Sequence, residues 1–321
     1  MEPRVTVSIP TYNRPEMLRT AIISVLAQSM GDLEIVVCDN DSPIDVGDVV
    51  SDLGDDRVTL VRQVTNVGRW RNMTTALQSG TAPFVTMLMD DEELVGADSL
   101  AQRIEHVERT GADWAYSRFV FRDAAGRELE SNGLLSESEP PPVQDGRDFI
   151  RMSFDTAVPT WVCSIVFRRD RIGGLRVLER DAPADDNGFI LRAALGRRIG
   201  FVDERLVTLT GEPGESVADG YLELGSDGQL LPTPFGVYSI QRVLEEFAMT
   251  APGYTTAERS ELLRACRRSA VRQYLWSLEQ GAGTAHGDTV LQRLRWLAVV
   301  QPRVLRAPKT LKLAAKALFR R

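Results

Sequence analysis

Three absences narrow the field before any motif is read. Cysteine occurs only as Cys38, Cys163 and Cys266 in 321 residues; an odd number without metal-ligand spacing excludes a disulfide framework and a cysteine zinc site, and fits a reduced compartment. No apolar run reaches the roughly 18 residues a spanning helix needs, and the N-terminus enters strand-like sequence without a signal-peptide pattern, so a cytoplasmic location is expected. Lysine is absent until Lys309, Lys312 and Lys316, which with Arg303, Arg306, Arg320 and Arg321 make the last 20 residues basic and free of acids. The net charge of -7 is therefore concentrated in the rest of the chain. An acidic body disfavours nucleic acid, whose binding rests on neutralising phosphates. Leu305, Leu311, Leu313, Leu318 and Phe319 lie among the tail's cations, a pattern that fits peripheral contact with an anionic membrane or a plain solvated tail.

What is present begins with FVTMLMDDEEL, residues 84–94, where a β-rich apolar run ends in Asp90, Asp91, Glu92 and Glu93. Four adjacent carboxylates repel one another and desolvate at a cost, which suggests a hard cation such as Mg²⁺ or Mn²⁺. The bland alternative is a solvated loop leading into a helix. Around this run strand and helix alternate. Strands are expected at 5–9, 33–38, 57–61 and 84–89, and helices at 15–28, 45–53 and 71–78. That alternation implies an α/β fold with a parallel sheet covered on both faces, and brings the loops 10–14, 39–43 and 90–93 to one edge.

Beyond residue 110 the pattern changes. WAYSRFVFR at 114–122 and Glu128–Leu129 flank a DAAG turn and read as a hairpin, and 131–146 is a polar, proline-rich loop suited to a surface excursion or a lid. Strands are expected near 161–167 and 200–209, a helix near 189–195, and helices from about Phe235 onward, clearest at 237–247 and 258–278.

Four ordered segments then carry a resemblance. VTVSIPTYNRPEMLRTAIISVLAQSMGDLEIVVCDNDSP, NVGRWRNMTTAL, MLMDDEEL and ADDNGFILRAALGRRIGFVDERLVTLTGEPGES resemble, in order, the motifs of family 2 glycosyltransferases across residues 4–216. The resemblance implies a GT-A fold, a Rossmann-like nucleotide-sugar-binding three-layer α/β sandwich, here with a C-terminal helical extension. It divides the chain into a nucleotide-sugar half at 1–110, an acceptor half at 111–220 and a helical extension with the basic tail at 221–321.

Carried over residue by residue, the resemblance implies a function for each loop. Asp91 falls at the family's metal-chelating carboxylate, with Asp90 beside the ribose or diphosphate; a register shifted by one gives the metal role to Glu92. Pro10, Thr11, Tyr12, Arg14, Asn40 and Asn72 fall on the nucleotide-sugar side. Asn40 stands where many members have a uracil-reading aspartate, and its amide still offers a carbonyl to an imide N–H. Ordinary structural roles stand beside these: Asn13 as a helix N-cap and 40–43 as a turn. Asp186 matches the family's catalytic base and Asp185 the preceding acid, with an N-cap as Asp185's structural alternative. Glu212 replaces a common metal-binding histidine, either keeping the metal role or having lost it. Neither His106 nor His286 falls in a motif. Trp161 and Trp114 lie in the acceptor half, as stacking platforms or as core.

The function these implications describe is an inverting, divalent-metal-dependent transfer of sugar from a UDP- or dTDP-sugar to an acceptor hydroxyl, on a saccharide, a lipid-linked saccharide or a small natural product. Bacterial cell-surface polysaccharide or natural-product glycoside biosynthesis is the expected setting. A nucleotidyltransferase would need a glycine-rich phosphate loop, which PTYNR is not. A catalytically silent nucleotide-sugar-binding or membrane-attached scaffold of the same fold is the alternative.

Overall fold

The computed structural model describes residues 2–122, 126–129, 140–156, 160–181, 184–210, 222–224, 230–280 and 298. Contacts divide the chain into two compact units, one formed by Met1–Val120, Ser138–Ile150 and Thr160–Thr210, the other by Phe121–Glu137, Arg151–Pro159 and Gly211–Arg321.

In the first unit the chain runs β1 (Val5–Thr11), α1 (Pro15–Leu26), β2 (Leu33–Asp39), α2 (Gly47–Leu53), β3 (Val58–Arg62), α3 (Arg69–Gln78) and β4 (Phe84–Met87). It continues through β5 (Glu92–Leu94), α4 (Ser99–Thr110) and β6 (Trp114–Arg122). Every residue of β1 is buried, as a central strand covered on both faces requires. Pro15 opens α1 at a position where its missing N–H costs nothing, and Leu18, Ala21, Ile22 and Val25 form the helix's buried stripe. Gly54 closes α2 at φ 59°, a left-handed conformation that glycine adopts without a Cβ clash.

After β7 (Glu128–Leu129) the chain forms β8 (Val143–Asp145), α5 (Gly146–Thr156), β9 (Ile165–Arg168), α6 (Arg169–Ile172), α7 (Asp185–Ala194) and β10 (Arg198–Thr210). The strands hydrogen-bond in the order β3-β2-β1-β4-β9-β6-β10-β5, with β8 on β10. The sheet is mixed rather than wholly parallel. β1 to β4 pair in parallel, but β9 runs antiparallel between β4 and β6. The strand–helix alternation that forces parallel crossovers extends only as far as β4, and beyond it the direction of each strand is set by longer connections. The acidic run is also not wholly a loop: Glu92–Leu94 pairs with Val207–Leu209, leaving Asp90 and Asp91 at the corner.

Trp114, fully buried, is core and not a stacking platform. Its indole N–H donates to the Ala193 carbonyl at 3.0 Å and its ring meets Phe149 edge-on at 5.2 Å. His106 is buried too, with Nε2 2.8 Å from the Pro142 carbonyl and the Arg109 guanidinium donating to Nδ1, which fixes the Nε2–H tautomer.

In the second unit, Phe121 and Arg122 at the end of β6 pair with β7, completing the expected hairpin. β11 (Leu222–Leu224) pairs with β12 (Leu230–Pro232), and α8 (Pro234–Thr250) packs on α9 (Thr256–Gln280). Thr233 caps α8 by accepting from Gly236 N–H. Thr255 and Glu258 form a reciprocal capping box ahead of α9. Among the described residues no helix is long and apolar enough to cross a membrane. The basic tail, His286 and most of the 131–146 loop lie outside the described residues.

Candidate functional site

The loops following β1, β2 and β4 meet at one edge of the sheet and are tied together by named bonds. Thr11 Oγ1 donates to Asp90 Oδ2 at 2.7 Å, and Arg14 Nη1 lies 3.3 Å from Asp90 and 3.4 Å from Asp91. Asn13, at φ 60°, donates its N–H to Ser42 Oγ, and Asn40 N–H donates to the Thr11 carbonyl at 3.0 Å. Arg14, not Asn13, occupies the N-cap position of α1. Pro10 and Thr11 are buried, whereas Tyr12 is 45% exposed and open to stacking.

The acidic corner is a closed turn. Glu92 N–H donates to the Met89 carbonyl at 3.2 Å and the Glu92 carboxylate accepts Met89 N–H at 2.9 Å, so both ends of Glu92 grip Met89 with Asp90 and Asp91 between. The three acids are then held differently. Asp91 stays at the rim, its side chain 29% exposed. Asp90 is buried, and that burial together with the charge of Asp91 pushes its carboxyl up to about 6, against the Thr11 hydroxyl, Arg14 and the Tyr12 N–H. Glu92 is pushed up to about 8, by burial first, then by Asp91, with Asp186 adding to it. Glu92 thus points into the interior, where its charged form is disfavoured.

Behind the turn lies a second polar cluster. The Cys163 thiol, held well above its ordinary range by burial and by Glu92, keeps its proton and faces the Glu92 carboxyl group. Arg103, fully buried, donates to the Ser99 carbonyl and hydroxyl at 3.1 and 3.2 Å and to the Cys163 carbonyl at 3.1 Å. The charge of Asp186 reaches both Glu92 and Cys163. Asp186 itself sits in the first turn of α7, where Oδ1 accepts the Asn187 backbone and side-chain N–H groups at 2.8 and 2.9 Å. Asp185 begins that helix, and the N-cap position belongs to Ala184.

Two residues on the nucleotide side already have partners. The Asn40 side chain donates to Asn66 Oδ1 at 3.0 Å and accepts Val67 N–H at 2.9 Å, which anchors the loop before α3. Asn72 is buried and donates to the Cys38 carbonyl at 2.7 Å, docking α3 on β2. Asp39 borders these residues at the same sheet edge and is not singled out by the sequence motifs. It is fully buried at the end of β2, accepts from the Ser42 N–H and hydroxyl, and lies 3.3 Å from Arg62. An aspartate followed three residues later by serine at a strand end is the local signal for such an Asx-type turn. Trp161 is partly exposed and meets Phe119 edge-on at 5.1 Å, with its carbonyl accepting from Ser164.

For a divalent cation the donor set is hard carboxylate oxygen. Among the described residues no three His, Cys, Asp or Glu side chains converge on a point that could hold a metal. Glu212 lies outside the described residues. One rim carboxylate with a second beside it fits Mg²⁺ or Mn²⁺, which take one or two protein carboxylates and complete their shell with phosphate oxygens and water.

The family model described as Glycosyl transferase family 2 matches residues 6–170. Over 96 residues the chain is 38% identical to the GalNAc(5)-diNAcBac-PP-undecaprenol beta-1,3-glucosyltransferase of Campylobacter jejuni, a match covering 29% of this chain and 31% of that protein. It is 26% identical over 115 residues to the UDP-Glc:alpha-D-GlcNAc-diphosphoundecaprenol beta-1,3-glucosyltransferase WfgD of Escherichia coli, covering 36% of this chain and 45% of that one. The chain thus spans less than half the length of these two relatives. The structure of S. aureus TarS 1-349 in complex with UDP-GlcNAc superposes with a TM-score of 0.64 at 16% identity, covering 99% of this chain and 90% of that chain. The mannosyltransferase PcManGT of Pyrobaculum calidifontis in complex with GDP-Man and Mn²⁺ gives 0.52 at 18% identity, covering 99% of this chain and 88% of that one. The fold is that of GT-A enzymes, and the chain belongs to glycosyl transferase family 2.

Proposed function

We propose that the protein is an inverting, divalent-metal-dependent glycosyltransferase that moves a sugar from a UDP- or dTDP-sugar to an acceptor hydroxyl. The observation that carries this reading is the closed Met89–Glu92 turn, which holds Asp90 and Asp91 against Thr11 and Arg14 with the charge of Asp186 reaching in from α7. In this reading residues 1–110 bind the donor, 111–220 the acceptor, and 221–321 form the helical extension. Thr11, Tyr12 and Arg14 line the nucleotide, with Tyr12 stacking on the base. Asn40 and Asn72 shape the pocket through the loops they hold, more than by direct reading.

Asp91, with Asp90 beside it, would hold Mg²⁺ or Mn²⁺, which when bound neutralises charge on the diphosphate leaving group. Arg14 adds positive charge at the same place. Asp186 accepts the proton of the attacking hydroxyl, its carboxylate oriented by the two Asn187 donors. Asp185 supports it from the preceding position. Trp161 offers the acceptor an aromatic face. The two relatives named for undecaprenol-linked substrates favour a lipid-linked saccharide as acceptor, reached by peripheral contact at the membrane.

The test is release of nucleotide from a panel of UDP- and dTDP-sugars with Mn²⁺ and a lipid-diphosphate-linked sugar, with the anomeric configuration of the product read by NMR. An inverted product, with turnover lowered about 100-fold or more by Asp186→Asn and abolished by Asp91→Ala, supports the proposal. Nucleotide binding without turnover of any donor would replace it with the silent-scaffold reading.

A further inference from the structure

The buried polar cluster behind the acidic corner has no role in the proposed chemistry, yet it is costly to maintain. Glu92 is 5% exposed, Cys163 and Arg103 are fully buried, and none of the three reaches the rim where a donor would bind. Burying such groups persists only where their bonds hold something in place.

The antiparallel register of β4 on β9 pairs Val85 with Phe167 and Phe84 with Arg168. The ladder does not run on to the corner, because residues 162–164 form a short 3₁₀ turn ahead of β9. Cys163 on that turn lies against Glu92, the residue that grips Met89 by both its N–H and its carboxylate. On the other side of Cys163, Arg103 fixes its carbonyl and is itself fixed to Ser99, at the start of α4. The corner bearing Asp91 is thus closed by Glu92, and behind Glu92 lies Cys163, whose carbonyl Arg103 ties to α4. Asp186 lies close enough for its charge to be felt at both Glu92 and Cys163.

We infer that Glu92 is a positioning residue. Through its paired bonds to Met89, which close the turn around Asp90 and Asp91, it sets the reach of Asp91 toward a donor-bound cation. The inference rests on the donor-site reading above. It assigns Glu92 no ligand role: the carboxylate faces inward, so the alternative register that would make it the metal ligand disagrees with its placement. Outer-shell groups of this kind commonly carry about 10- to 100-fold of metal affinity.

The test measures UDP binding by calorimetry with and without Mn²⁺ for the full chain and for Asp91→Ala, Glu92→Ala, Glu92→Gln and Cys163→Ala. The quantity read is the metal-linked gain, the ratio of the two dissociation constants. Glu92→Ala is expected to lower that gain by about tenfold or more while metal-free UDP affinity stays at the wild-type value, because Thr11, Tyr12 and Asn40 are untouched. Glu92→Gln, whose carbonyl still accepts Met89 N–H, should restore most of the gain. Cys163→Ala should lose part of it, and keeps the test open if Glu92→Ala does not fold. A purely structural role would lower the melting temperature without changing the gain. If Glu92→Ala and Cys163→Ala keep the gain while Asp91→Ala loses it, the positioning inference is overturned and the donor site stands. If Asp91→Ala keeps the gain, the donor-site reading fails and the inference falls with it.

Discussion

Replacing Asp90 with asparagine should make the metal-free protein more stable at neutral pH and a weaker binder of donor. In the fold the Asp90 carboxyl rises from 3.8 to about 6 because it is buried beside Asp91. Two units at about 1.4 kcal/mol each put the cost of its ionisation near 3 kcal/mol. The sign follows from proton binding: the raised folded value means the native state holds the proton more tightly than the unfolded chain. The stability this contributes is fully present below pH 3.8 and is lost as pH rises through 6. An asparagine side chain never ionises and its carbonyl still accepts from Thr11, so the Asp90→Asn variant escapes that loss. The ion pair with Arg14 that it forfeits is already counted in that figure, because the Arg14 charge is among the influences that set the value near 6. The net expectation at pH 7.5 in EDTA is a gain of about 3 kcal/mol, or about 6–12 °C in Tm. Glu92 titrates higher and is common to both proteins, so its effect cancels in the difference. Melting both from pH 4 to pH 8 in EDTA tests this. A difference that stays near zero below pH 4 and opens through pH 6 is expected, and a variant that loses stability equally at pH 5 and pH 7.5 would refute the argument.

Trp114→Ala should destabilise by about 3–5 kcal/mol, because the ring is enclosed by Phe149 and Phe167, whereas Trp161→Ala should cost far less stability and raise acceptor KM; denaturant melts and steady-state kinetics separate the two. Gly146→Ala should destabilise by about 3 kcal/mol, since an added Cβ would run into the Ala194 carbonyl oxygen and lie 3.0 Å from that of Arg197, atoms of the backbone that cannot turn aside. A urea titration with unchanged midpoint would sink that claim.

The first four strands and three helices are legible in the sequence because each has one clear period and a clear stop. α3 starts two residues earlier than expected, at Arg69, because the break lies at Gly68, with φ 84°. Where pattern and chemistry conflict, legibility ends. Glu92, Glu93 and Leu94 alternate buried, intermediate and buried, as a strand should, but a carboxylate on the buried side cannot be read as such from one sequence. The reversal of β9 is equally silent, since WVCSIVF carries no sign of direction. Trp114 and Trp161 look alike as letters, and only their neighbours separate core from rim. The acidic corner is legible because charge density beside an apolar strand is rare. Its internal brace is not, because Cys163 lies some 70 residues further on.

The reversal at β9 also bears on how such a site can diversify. A purely parallel sheet delivers only strand exits to its ligand edge, so each contributing loop is also the start of a crossover and is constrained at both ends. With β9 inverted, the entrance of a late strand arrives beside the exit of β4. The segment 160–164 can then change beside the exit of β4 without altering any connection that the early strands depend on. One half of the edge is thereby insulated from insertions in the other, and a lineage can retune what it accepts while leaving the donor-side loops intact.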